Sequence, residues 1–497
     1  MKRVYTKFYT LLTNPFFIAS LTFSFLVVAS FFRGMGIDEG IWSYIATSWV
    51  KYGMVPYKDL FADKTPGIHI IYAVSYILCG VTYWLPRLFG CVASTLSAVI
   101  VYLIAKKLYG RFCAGIAMML CGLALVWEST DGLYCAQTES FMIFFSALAF
   151  YLVIIANRST GRRRINILLF SAGMAMGSAI SFKQIALTSA IALFIFYTNT
   201  LNRDNRLMGR FVIGALVIVA GIITALALSV MPVILSGATI ADYWRYAWVN
   251  LAVMVREQSG MVPVFKYRVL NFCRVWRSTD IVLFYPFVAL FFLRRKELLR
   301  AGVPYIGICA WLILDFIGVN SSGHYWTHQV RQLIPPIALV SGMGLSCVLR
   351  PCGSCLGKRI GLVVLLLFIV WLPYNTMAKG ILEPDPVYFK ELGLFIKRNT
   401  TQDDYVYLFA PLGFGYPMIT QAYCERRSPT RYFSPVSLAM SDSGRYIAGD
   451  IMRHSPKFII VPSVVSDKVP VAVNKIISML YRHTDSRYGF DLYEQKH

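Results

Sequence analysis

GIDEGIWSYIATSWVKYGMVPYKDLFADKTPG, residues 36–67, follows the first long apolar run of the chain. Within it Asp38, Glu39, Asp59, Asp63 and Lys64 alternate with Trp42, Tyr44, Trp49, Tyr52 and Tyr57. Acids beside a bilayer are costly unless they are paired, hydrated or used, and Trp and Tyr settle at the lipid–water boundary. A plain connector needs neither, so the segment is expected to bind something. Asp38 stands where an N-cap belongs, and Ile41/Trp42, Ile45/Ala46 and Trp49/Val50 recur every four residues. This spacing predicts a short interfacial helix that presents the acid pair at its start, where the helix dipole favours an ionised carboxylate.

The whole chain places that segment at a membrane. Of 497 residues, 57% are hydrophobic and 15% charged, and the mean hydropathy is +0.58; an ordinary soluble globule is excluded. The net charge of +23 reads as a topology signal rather than a nucleic-acid footprint. The basic head and long apolar run of MKRVYTKFYTLLTNPFFIASLTFSFLVVASFF, with no small-residue cleavage site, predict an uncleaved first span. Eleven cysteines are scattered through apolar runs, and the CGSC at Cys352 to Cys355 reads as a loop rather than a metal or redox centre.

Apolar runs near 15–32, 68–84, 85–105, 112–128, 140–157, 165–182, 185–200, 211–235, 280–293, 301–319, 330–349 and 360–377 can cross or enter a bilayer. Basic clusters around Lys2, Lys106, Arg162, Arg206, Arg294 and Arg350 should share the inner side. They can do so only if one of the two adjacent runs 68–84 and 85–105 stays out. The run 68–84 follows Pro66–Gly67 and carries His69 and three tyrosines, which suits an outer interfacial helix. The expectation is therefore a polytopic α-helical membrane protein with about 11 transmembrane helices plus interfacial helices. Its transmembrane domain covers 1–377, its first outer loop 33–84, and a small α/β extracytoplasmic domain covers 378–497, where amphipathic helical patterns alternate with short strand-like runs. On this topology Asp131, Glu139, Arg87 and Lys183 join the first-loop acids at the outer boundary.

Several of these stretches carry a resemblance. The Asp38–Glu39 pair, Tyr44, the turn residues Gly53, Pro56, Tyr57 and Asp59, and Lys64–Thr65–Pro66 resemble the first outer loop of the membrane-embedded GT-C glycosyltransferases, in the superfamily of protein O-mannosyltransferases and lipid A aminoarabinose transferases. LPRLFG at 85–90 is similar to the arginine-bearing start of that family's second span. QTESFMIFF at 137–145 is similar to its second acidic position, here Glu139. GHYWTHQVRQLIPP at 323–336 resembles its late His-Tyr segment. The likeness covers about the first 350 residues, strongest in the first loop; Thr65 stands where the family pattern has Pro.

The resemblance implies transfer of a sugar from a polyprenyl-phosphate carrier to a hydroxyl acceptor (protein, lipid A or cell-envelope glycan) on the outer face of a bacterial inner membrane. Asp38 would be the catalytic base, and Lys64, Arg87 and Lys183 would stabilise the phosphate as the glycosidic bond breaks. Glu39, Tyr57, Asp59, Glu139, His324, Tyr325 and His328 would bind or line the substrates. One carboxylate without a nucleophilic partner fits a single displacement with inversion. No cofactor is expected to be required, though Mg or Mn would suit the carboxylates. A polytopic transporter or flippase of a lipid-linked or envelope substrate is the alternative, weakened by the absence of an internal repeat.

Overall fold

Backbone immersed in lipid must satisfy its own hydrogen bonds, and the apolar runs do so as helices. The computed structural model describes residues 14–128, 132–201, 207–249, 269–270, 272–273, 276, 280–321, 326–349, 355–382, 387–411, 414–438 and 443–496. Five of the described helices are long and apolar enough to cross a membrane: Trp84–Tyr109, Thr138–Asn157, Arg162–Phe182, Phe211–Leu235 and Thr327–Leu349. Pro15–Phe31, Arg111–Val126, Ala186–Thr200 and Tyr305–Ser321 are apolar but shorter. The protein is a multi-pass membrane protein of helical build.

The chain divides into two compact units. The first comprises Met1–Arg33, Arg87–Ser229 and Val264–Glu383, and it holds the long helices. Its helices approach closely where residues are small. A Cβ on Gly173 would lie 2.1 Å from the Ile218 carbonyl oxygen, and one on Gly221 2.3 Å from that of Phe170. Only hydrogen at these positions lets the two backbones touch, which is how helices associate when lipid supplies no hydrophobic drive.

The second unit comprises Gly34–Pro86, Val230–Pro263 and Pro384–His497. This differs from a division at residue 378, because the first outer loop packs with the tail. A four-stranded sheet ordered β1-β2-β4-β3 forms its centre: β1 (Val406–Leu408) runs parallel to β2 (Phe458–Pro462), and β4 (Phe490–Gln495) is antiparallel to both β2 and β3 (Tyr481–Arg487). Alternation sends Val406, Leu408, Phe458 and Ile460 to one face, with Phe389, Leu392 and Ile396 of helix Tyr388–Arg398. It sends Tyr407, Ile459 and Val461 to the other, with Ile447, Ile451, Val473 and Ile477. Met35, from the first loop, is buried in the former cluster.

Helix Ile37–Tyr52 departs from the interfacial expectation: every residue from Glu39 to Ser48 is buried. A Cβ on Gly40 would sit 2.9 Å from the backbone of Met418 and Ile419, so this glycine admits helix Pro417–Cys424 against it. The far end is pinned too. The Tyr52 hydroxyl donates to the Glu425 carbonyl at 2.6 Å, and Lys51 pairs with the Glu425 carboxylate at 3.2 Å. The run predicted as 68–84 forms a 14-residue helix, Pro66–Cys79, packed on Ile37–Tyr52 within the same unit.

Candidate active site

The acidic start of the first-loop helix differs from its sequence reading in one respect. The N-cap is Gly36, and Glu39, three residues into the helix, accepts the Gly36 backbone N–H at 2.7 Å. Asp38 is therefore inside the first turn rather than at the cap, half-buried beside a fully buried Glu39. Division of labour follows from this geometry: the helix end is closed by the glutamate.

The turn that follows is held from four sides. Tyr57 adopts φ +70°, a conformation costing a non-glycine residue roughly 1 kcal/mol. It persists because its N–H donates to the Leu60 carbonyl at 3.0 Å, its hydroxyl to the Lys64 carbonyl at 2.6 Å, and its own carbonyl accepts from Arg431 at 2.7 Å. Its ring packs edge-on to Tyr243, with centroids 5.5 Å apart. Asp59 accepts the Val55 N–H at 2.8 Å, closing the loop base. Tyr57 and Asp59 thus build the turn that delivers Lys64.

Lys64 forms an ion pair with Asp63 and keeps a quarter of its side chain exposed. Burial works to raise the Asp63 carboxyl, but the Lys64 ammonium outweighs it and holds the group below the usual carboxylate range. His69, wholly buried in the next helix, is lowered to about 4, chiefly by burial, with the Lys64 charge adding and Asp63 opposing.

In the first unit, Glu139 lies in the opening turn of Thr138–Arg158 and is fully buried. It forms an ion pair with Lys183, the residue that ends helix Arg162–Phe182. The Thr138 hydroxyl donates to its other oxygen at 2.7 Å, and His328 Nε2 stands 3.8 Å away. Two sequence-distant residues singled out at the outer boundary are thus brought together. His328 belongs to a 3-10 turn, Thr327–Leu333. His324 and Tyr325, like Asp131 and Cys352, lie outside the described residues.

Arg87 is fully buried and donates to the carbonyls of Ser30 and Arg33, at the end of helix Pro15–Phe31. Its guanidinium carbon lies 5.2 Å from the centroid of the Tyr134 ring. A cation on the last carbonyls of a helix meets both their hydrogen-bonding need and the negative dipole end. This is a structural task.

Residues 63–227 match the family model for dolichyl-phosphate-mannose-protein mannosyltransferases. ArnT from Cupriavidus metallidurans bound to undecaprenyl phosphate is similar over 96% of this chain and 97% of its own, at 12% identity and TM-score 0.63. The apo oligosaccharyltransferase of Archaeoglobus fulgidus is similar over 97% of this chain and 74% of its own, at 12% identity and TM-score 0.59. The same archaeal enzyme, AglB, in complex with an inhibitory peptide and a dolichol-phosphate gives 12% identity and TM-score 0.58 over the same shares. No curated relative matches the sequence. Over residues 63–227 this chain thus resembles a glycosyltransferase family, and over nearly its whole length it shares the fold of ArnT and of the archaeal oligosaccharyltransferase.

The family match begins at Asp63 and takes in Lys64, Arg87, Glu139 and Lys183, while Asp38 precedes it. Reading the sequence missed three supports of the site. Asp63, the partner of Lys64, was visible as its neighbour. Arg431, which holds Tyr57, and Ser428, whose N–H donates to the Tyr44 hydroxyl at 2.7 Å, come from the tail, and no local signal marks them.

Proposed function

We propose that this protein is a GT-C glycosyltransferase that moves a sugar from a polyprenyl-phosphate carrier to an acceptor hydroxyl at the outer face of a bacterial inner membrane, with inversion. The observation that carries the reading is the separation of roles at the first-loop helix. Because Glu39 closes the helix end, Asp38 is not the cap and stands half-buried in the first turn, at the positive end of the dipole.

In the mechanism, the acceptor oxygen attacks the anomeric carbon while Asp38 takes its proton. The bond between that carbon and the carrier phosphate oxygen breaks through an oxocarbenium-like state, and the phosphate leaves with the electron pair. Lys64 stabilises that negative charge; Asp63 and the Tyr57 hydroxyl, which holds the Lys64 backbone, orient it. Phosphate leaves readily, so no general acid is invoked. Among the described residues no group of three or more His, Cys, Asp or Glu is placed to hold an ion. The bound undecaprenyl phosphate and dolichol-phosphate of the two structural relatives favour a prenyl-phosphate carrier here. The distribution of the basic clusters along the sequence supports putting this chemistry outside the cytoplasm.

The test supplies purified protein with a radiolabelled polyprenyl-phosphate sugar and measures release of polyprenyl phosphate. Catalysed release that Asp38→Asn abolishes is expected. A protein that moves the carrier across vesicles yet releases no prenyl phosphate would be a flippase, and the reading would fall.

A further inference from the structure

Within the first unit, two cysteines far apart in sequence meet. Cys91 lies in the opening turns of helix Trp84–Tyr109, and Cys135 lies in the turn just before helix Thr138–Arg158. Both are fully buried. Their thiols hydrogen-bond to each other, and the Ser30 hydroxyl stands 3.7 Å from Cys91 Sγ. The backbones touch as well: a Cβ on Gly90, the neighbour of Cys91, would lie 2.0 Å from the Cys135 carbonyl oxygen. Only hydrogen at position 90 admits the turn so closely. A disulfide needs Cα atoms about 4.4–6.8 Å apart, and thiols in mutual contact on backbones in contact are placed to meet that condition.

Charges at the helix ends say which side of the membrane the pair faces. Helix Trp84–Tyr109 carries Lys106 and Lys107 in its last turn, helix Arg111–Val126 begins on a basic residue, and helix Thr138–Arg158 ends on one. The positive-inside rule assigns all three of these ends to the inner side. Cys91 and Cys135 lie toward the opposite ends, so they share the outer side, where disulfides form and persist.

Cys135 also has the character of an attacking thiol. The S–H bond it accepts from Cys91 holds it below the usual thiol range against the opposing effect of burial, and the charges of Arg331 and Arg87 add to this.

We propose that Cys91 and Cys135 form a disulfide that staples the turn 132–137 to helix Trp84–Tyr109. The bond arises by exchange with a disulfide-bearing oxidant of the outer compartment. The Cys135 thiolate attacks one sulfur of the oxidant and expels the other; the Cys91 thiolate then attacks Cys135 Sγ in the mixed disulfide and expels the second. Two protein thiols are oxidised, the oxidant's disulfide is reduced to two thiols, and the two protons pass to the expelled sulfurs. Because both cysteines are fully buried, exchange precedes packing of the turn on the helix, and packing then shields the bond from reductants. The bond also fixes the neighbouring Tyr134, whose ring packs on Arg87. It forms or fails to form whatever the protein transfers.

The test counts thiols in the full chain taken from its membrane. Cells are quenched in acid and denatured in SDS with N-ethylmaleimide, which caps every free thiol; after reduction, maleimide-PEG marks those that had been bonded. Two additions are expected in the wild type and none in Cys91→Ser or Cys135→Ser, and a non-reduced digest of the wild type should contain a peptide joining Cys91 to Cys135. No addition in the wild type would overturn the proposal, as would two additions that persist in either variant or a digest joining a different pair. A second measurement addresses the staple. Heating with a phosphine reductant should lower the melting temperature of the wild type and leave that of the double variant Cys91→Ala/Cys135→Ala unchanged. An equal response of the two proteins would deny the bond its stapling role.

Discussion

The Glu39 carboxylate accepts the Gly36 N–H at 2.7 Å, and this bond leaves Asp38 out of the helix cap. Adjacent acids, identical in charge, are thereby given different work. Asp38→Asn should lower turnover by roughly two to four orders of magnitude, the usual worth of a general base, with thermal stability near wild type. Glu39→Ala orphans the Gly36 donor and should cost about 1 kcal/mol of stability. Unfolding curves and prenyl-phosphate release on both variants check the split. Normal turnover by folded Asp38→Asn protein would remove the proposed base.

In the proposed mechanism Lys64 meets phosphate charge in both the bound donor and the transition state. Lys64→Met is therefore expected to weaken donor binding as well as turnover, whereas Asp38→Asn should spare binding. Donor titration alongside single-turnover rates separates the two; intact donor affinity in Lys64→Met would exclude a phosphate contact.

Glu139 and Lys183 form a buried pair with the acid fully enclosed. Removing one partner leaves an uncompensated charge, so Glu139→Gln and Lys183→Met should each destabilise the protein by about 3–5 kcal/mol. The double variant should cost less than the two singles together. Thermal unfolding of all four proteins measures the coupling, and strict additivity would show that the pair does not act as one.

His69 titrates at about 4 in the folded chain, against 6.5 for a free imidazole. A group lowered on folding contributes stability above its unfolded value and loses it as the pH falls. The melting temperature should drop between pH 6.5 and about 4, and His69→Leu should flatten that part of the profile. An unchanged slope in the variant would assign the acid sensitivity elsewhere.

The eleven-span topology expected from the basic clusters predicts sidedness. In single-cysteine variants, native Cys79, exposed at the end of its helix, should react with an impermeant thiol reagent in spheroplasts, and a cysteine replacing Lys107 should not. Equal reactivity at both would break the parity argument.

Much of this was legible in the linear sequence because it depends on local or periodic properties. Lipid admits only runs that hide their own backbone, so apolar runs such as 165–182 and 185–200 fall within two or three residues of the helices formed, Arg162–Phe182 and Ala186–Thr200. Strand alternation and amphipathic helices likewise marked the tail as mixed α/β. Side-chain partners were not legible, since they depend on which segments meet. Only tertiary contact decided that Arg87 clamps carbonyls and that Lys183 finds Glu139 forty-four positions away. The buried state of Ile37–Tyr52 has the same origin: its polar and apolar faces are both covered because Gly40 lets a tail helix approach within van der Waals reach. Periodicity records one covered face; a second is set by a neighbour nearly four hundred residues along the chain.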